Sequence, residues 1–199
     1  MAAAVLGAAA LLTSGCLSQQ ERALLLEGPY TLNVDYSITV EDLLRAGSYN
    51  WVNHRLASSN FPAAGGGRVA LSAVLVPFSP EANLDHAVGD QAALGMRPAT
   101  LKELLAFGEA YPDVQRKLPV LALGSSVDLE VITYDRITEG RKVVFRRMVP
   151  RVRRLYPFLG GGLAGRVAGL EWLSDPAGYG MYYALFVKPQ QIAPPALLH

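Results

Sequence analysis

Cysteine is nearly absent: one residue, Cys16, in a chain of 199. A lone thiol excludes an internal disulfide framework and any cysteine-built zinc site. Histidine is almost as scarce, and His54, His86 and His199 share no metal-ligand spacing. Neither sign of charge prevails, because 18 basic and 17 acidic residues leave a formal charge of +1. Any attraction to an anionic partner must therefore come from a local cluster. The glycines at 65–67 are no phosphate cradle, since a strand-like run follows them where a phosphate loop needs a helix. No cofactor and no metal are expected. Long apolar runs are missing too: the longest, Met1 to Gly15, has about fifteen residues, too few to span a bilayer.

What is present suits one globular domain, with 51% hydrophobic residues, enough to bury a core. The N-terminal run, small and apolar until Ser14-Gly15-Cys16, resembles a bacterial lipoprotein signal. That resemblance implies lipid attachment at Cys16, which would become the mature N-terminus in the cell envelope. The alternative is a helix on a cytosolic protein, with Cys16 a plain apolar residue. The expected organisation is a signal-like segment over 1–15, a tether or short helix over 16–29, a single domain over 30–188 and a loosely ordered tail over 189–199.

The domain is organised around the stretch from Gly95 to Ser125. Thr100 and Glu103 form a capping box, and Leu101, Leu104, Leu105 and Gly108 recur at helical spacing, so an amphipathic helix is expected to end at Tyr111-Pro112. Leu118 to Leu123 reads as a buried strand. Upstream, Tyr30 to Tyr36 alternates as a half-buried strand, and Thr39 with Asp42 opens a short helix that Gly47 closes. Trp51 reads as a core anchor. A strand from Arg68 to Phe78 precedes a helix from Ser79 to Leu94, with Leu84, Val88 and Leu94 inward and the His86–Asp90 pair solvated. The later chain is strand-rich, over 128–134, 141–149, 167–173 and 181–188. Strands not separated regularly by helices give an α+β class: a twisted antiparallel sheet with two or three helices on one side.

Nine of the 18 basic residues fall between Arg136 and Arg166, against a single acid, Glu139. The densest part holds Arg146, Arg147, Arg151, Arg153 and Arg154, followed by Tyr156, Phe158 and Gly160-Gly161-Gly162. Arginine suits bidentate recognition of phosphate or carboxylate, and aromatic side chains add stacking. These seven side chains form the candidate ligand-binding set, carried on flexible loops. The bland alternative is a basic rim that pairs with Glu103, Glu109 and Asp113 or merely hydrates.

The series Arg97-Pro98-Ala99-Thr100, Glu103-Leu104-Leu105, Tyr111-Pro112 and Val120-Leu121-Ala122-Leu123-Gly124-Ser125 resembles a family of small bacterial proteins. Tyr49 to Asn53 and Tyr182 to Lys188 stand where that family has a Trp-containing segment and an aromatic-rich last strand. No activity comes with the resemblance. At longer range, Arg97 to Glu103 is similar to a helix start of C-type-lectin-like domains of the sulfatase-modifying-factor and Fib-succ types. Such a fold implies that ligands bind in the region from about Gly124 to Pro176, where the arginines are.

The functional expectation is a non-enzymatic binding module, membrane-tethered through Cys16, that contacts an anionic glycan, an envelope polymer or a protein partner. The alternative is a cytosolic, nucleic-acid-associated protein using the same cluster, with Tyr156 and Phe158 stacking on bases. The carboxylates Asp128, Glu130, Asp135 and Glu139 lie near the arginines, but no nucleophile, base and orienting group can be named together, so no catalytic residue is assigned.

Overall fold

Alternation of apolar and polar side chains fixes the first strand. In the computed structural model, which describes residues 19–26, 28–62, 66–78, 84–139, 142–162, 165–173 and 182–189, the run becomes β1 (Tyr30–Asp35), with Leu32 and Val34 buried. Cys16, the signal-like segment and residues 190–199 of the tail lie outside the described residues. Helix α1 (Gln19–Leu26) precedes β1, and α2 (Val40–Ala46) follows it, with the Thr39 hydroxyl accepting from the Asp42 amide at 3.1 Å. Gly47 closes α2 in a right-handed conformation, and the left-handed turn falls on Ser48 at φ 50°.

The remaining elements are β2 (Trp51–Val52), β3 (Arg68–Phe78), α3 (Leu84–Ala93), β4 (Arg97–Pro98), α4 (Leu101–Ala110), α5 (Pro112–Lys117), β5 (Val120–Leu121), β6 (Val127–Glu139), β7 (Lys142–Gly162), β8 (Gly165–Glu171) and β9 (Tyr182–Pro189). The main sheet has the order β1-β3-β9-β5-β7-β8-β2; β4 joins β9, and β6 pairs with β7. The class is α+β. Two details differ from the expected antiparallel sheet with helices on one side. First, β5 runs parallel to β9 and β2 parallel to β8. Hairpin-linked strands must be antiparallel, but β5 is entered from α5 and is free of that constraint. Second, both faces of the sheet are covered. On β9, Tyr183, Leu185 and Val187 pack into a core built with α2, α4 and α5. The alternate residues Tyr182, Ala184 and Phe186 pack with Ala87 and Val88 of α3 into a second core. A central strand buried on both faces reads as a continuous apolar run, which is what 182–187 is.

Helix α4 is encased rather than amphipathic, with every residue from Leu101 to Gly108 buried. The charged residues buried in it, Lys102 and Glu103, are therefore bonded: Glu103 accepts from the Thr100 amide at 2.7 Å, and the Lys102 ammonium donates to the Tyr36 and Ile38 carbonyls at 2.7 and 2.5 Å. Ser125 Oγ accepts from the Leu101 amide at 3.0 Å, tying the end of the organising stretch to its first helical turn. Pro112 does end α4, but it also occupies the first turn of α5, where a missing N–H costs nothing. The strand expected over 118–123 contracts to Val120–Leu121, in the middle of the sheet. Leu94 points outward instead of inward, with 64% of its surface exposed beside the left-handed Gly95.

Candidate binding surface: the β6–β7 ribbon and its root

The arginines do not sit on loops. Twenty-one residues form the one long strand β7, and its first part pairs with β6 alone as a two-stranded ribbon. Thirteen residues in β6 give the ribbon a reach of about 40 Å at the usual rise per residue. The expected flexible glycines Gly160 to Gly162 are likewise strand, paired with β8 through Val167, Arg166 and Gly165. A Cβ on Gly161 would come within 2.5 Å of the Arg116 backbone, so this glycine is there to let α5 lie directly on β7.

Register decides which residues share a face. Asp128 stands opposite Arg154, Glu130 opposite Val152, Leu129 opposite Arg153, Val131 opposite Arg151 and Asp135 opposite Arg147. The pairing then slips: Arg136 faces Phe145, which leaves Arg146 as the extra residue of a β-bulge. The side chains of Arg146 and Arg147 lie outside the described residues. At the root, Arg154 makes a bidentate pair with Asp128, at 3.0 and 3.1 Å. That hydrogen bonding holds the Asp128 carboxyl below its usual range and raises Arg154. Arg153 stacks on the Trp172 ring at 4.1 Å, and Arg151 and Val152 are exposed. Two of the three acids expected as partners are engaged elsewhere, Glu103 with Arg97 and Asp113 with Arg116 at 3.6 Å, and Glu109 is exposed on α4. The partner of Arg154 comes from β6 itself, through cross-strand pairing that only the register reveals.

Tyr156 and Phe158 fasten the ribbon to the sheet. Both pack against the second core, and the Phe158 ring lies against the Cα positions of Gly160 and Gly169, where a Cβ would meet it at 3.3 and 2.4 Å. Trp51 reverses its expected role. Its surface is 52% exposed, on the two-residue edge strand β2, where it has a neighbour on only one side.

Arg166, counted in the sequence as one of the cluster, belongs to the interior, with 8% exposed. Its guanidinium donates to Gln115 Oε1 at 3.2 and 3.0 Å and to the carbonyls of Gly47 and Gly108, and it lies over the Tyr49 ring at 4.8 Å. Gly108 is four residues before Pro112, which has no amide to offer that carbonyl. Gly47 O is the last carbonyl of α2. Arg166 thus takes the negative ends of two helices in place of a carboxylate. Burial pushes the Tyr49 phenol up by more than the Arg166 charge lowers it, so the ring stays neutral beneath the cation.

Among the described residues no three metal-binding side chains group together, and no helix is long and apolar enough to cross a membrane. No protein-family model matches the chain, and neither the curated proteins nor the solved structures include a match.

Proposed function

We propose that the chain is a non-enzymatic binding module, tethered to the membrane through a lipidated Cys16, whose β6–β7 ribbon contacts an anionic glycan or envelope polymer. The observation that carries this reading is the ribbon itself. It holds seven basic residues against four acidic ones, and from Asp128 to Leu155 no described side chain joins either core. A projecting element that adds nothing described to the core, yet concentrates arginine, has the composition of a contact surface. The similarity of Arg97 to Glu103 to a C-type-lectin-like helix start supports a binding role in the same way. The test is titration of polygalacturonate into wild-type protein and an R146S/R147S variant. Loss of at least tenfold in affinity with an unchanged thermal midpoint is expected, and equal binding by the variant would defeat the reading.

One observation favours the nucleic-acid alternative: a two-stranded ribbon has the width that the DNA major groove admits. Address separates the two readings. The expected native form is a membrane-fraction species beginning at Cys16 with added lipid mass; a soluble species that retains Met1 removes the tether and favours nucleic acid.

A further inference from the structure

One row of residues crosses five strands at the end of the sheet. Trp51 is in register with Val167, and Val167 with Gly160. The pairs Val120–Leu159 and Val120–Tyr183 place Pro119 next in line, between Gly160 and Tyr182. Directly paired residues point to the same face, and Tyr182 marks this face as that of the second core. Along the row lies a cavity of about 300 Å³, lined by Val167, Gly160, Pro119 and Tyr182, with Phe158 and Lys117 also on its wall. Gly160 contributes no side chain of its own, and the Phe158 ring lying beside it forms part of the cavity wall. Trp51 stands at the outer end, half exposed.

Trp51 lies one strand beyond Val167, outside the cavity wall, so the row spans about 19 Å from Trp51 to Tyr182 at the usual strand spacing and the cavity forms a groove over its inner part. Its floor is apolar and aromatic, and its cations are Arg116 and Lys117 from the end of α5. Arg116 is already near Asp113, at 3.6 Å, which leaves Lys117 as the freer charge. Charge density selects the ligand class. Stacked nucleic acid carries one phosphate per about 3.4 Å of strand, five or six over this length, far more than the rim would neutralise. A chain of sugar rings with an occasional carboxylate fits better: the C–H faces of pyranose rings lie on aromatic side chains, and one acid group meets one ammonium.

We infer that this cross-strand groove is a sugar subsite, binding a short acidic oligosaccharide with its rings against Trp51 and Phe158 and a uronate carboxylate at Lys117. The inference rests on the ribbon reading for its ligand class, but not for its residues. The probe is trigalacturonate, titrated calorimetrically into wild type, W51A, K117Q and R146S/R147S, with a neutral glucose trimer and a thymidylate trimer as controls. Both groove substitutions are at exposed side chains, and unchanged thermal midpoints confirm that the fold is kept.

The expected result is about tenfold weaker trimer binding in W51A and in K117Q, wild-type trimer binding in R146S/R147S, and no binding of the neutral trimer. Equal binding of the neutral trimer overturns the acidic assignment, and tighter binding of the thymidylate trimer overturns the sugar assignment. If polygalacturonate still binds through the ribbon arginines while the trimer is not bound, or is bound equally by W51A, the groove is wrong and the ribbon reading survives. If neither polymer nor trimer binds, both fail.

Discussion

Arg166→Met is expected to destabilise the protein by about 4 kcal/mol, lowering the thermal midpoint by about 10 °C. The variant keeps most of the side-chain volume and removes every donor. Three buried acceptors are then stranded: Gly47 O at the end of α2, Gly108 O above Pro112, and Gln115 Oε1. Each unsatisfied buried acceptor costs about 1 to 3 kcal/mol, which outweighs the relief of no longer burying a guanidinium. Water cannot easily replace the donors, because Gln115 is itself buried, its amide donating to Gly160 O at 3.0 Å and Val167 O at 3.2 Å. Lysine at this position keeps the charge but is a single point donor that cannot span two helix ends, so R166K is expected to recover less than half of the loss. If Arg166 were a solvated member of a basic surface, either change would fall within about 0.5 kcal/mol of wild type. Urea unfolding of the three proteins separates these outcomes.

Glu103→Gln has the second largest expected effect, about 2 to 3 kcal/mol at neutral pH. Glu103 is fully buried and accepts from both Arg97 terminal nitrogens, at 2.9 and 2.5 Å, from the Tyr36 hydroxyl and from the Thr100 amide. Burial alone would push its carboxyl up, but the hydrogen bonds from Arg97, Tyr36 and Thr100, with the Arg97 charge, together hold it below the usual range. Tyr36 moves the other way, pushed up to about 12 by burial and by its bond to Glu103, so the phenol remains the donor. Arg97 is half exposed, and its solvation once unpaired keeps the loss below that of a wholly buried pair. A carboxyl whose folded pKa is lowered gives its full stabilisation above the ordinary unfolded value, near 4.3, and loses it as pH falls toward the folded value. The gap between wild type and E103Q should therefore narrow as unfolding is followed from pH 7 to below about 4. A gap independent of pH would mean that packing, not charge, holds this corner.

Local chemistry was the legible part of the sequence. Thr39, Thr100 and the alternation from Tyr30 to Tyr36 announce their own structure, because a cap or a half-buried strand is decided within a few residues. Placement of β5 between β7 and β9, the covering of the second face by α3 and the encasement of α4 depend on which distant strands meet, and no short window carries that information. The same limit applies to the candidate site. Its arginines stand out by composition, but a strand of twenty-one residues containing Pro150, Pro157 and three terminal glycines breaks every local rule for a continuous strand. Once the register is known the exceptions make sense: Phe158 fills the space beside Gly160 and Gly169, and Gly161 admits α5. Arg166 was inseparable from its neighbours for the same reason. The only local hint of its partner was Gly108 four residues ahead of Pro112, a carbonyl with no amide to accept from.

The ribbon as the contact surface for an anionic polymer is tested most directly by affinities measured on one preparation, with polygalacturonate and a duplex oligonucleotide each titrated at about 50 and about 200 mM salt into wild type and R146S/R147S. The expected result is that wild type prefers the polyuronate at both salts and that the double variant loses at least tenfold in affinity for it. Preference for the duplex with a steep salt dependence, or polyuronate binding that ignores the two substitutions, would contradict the account.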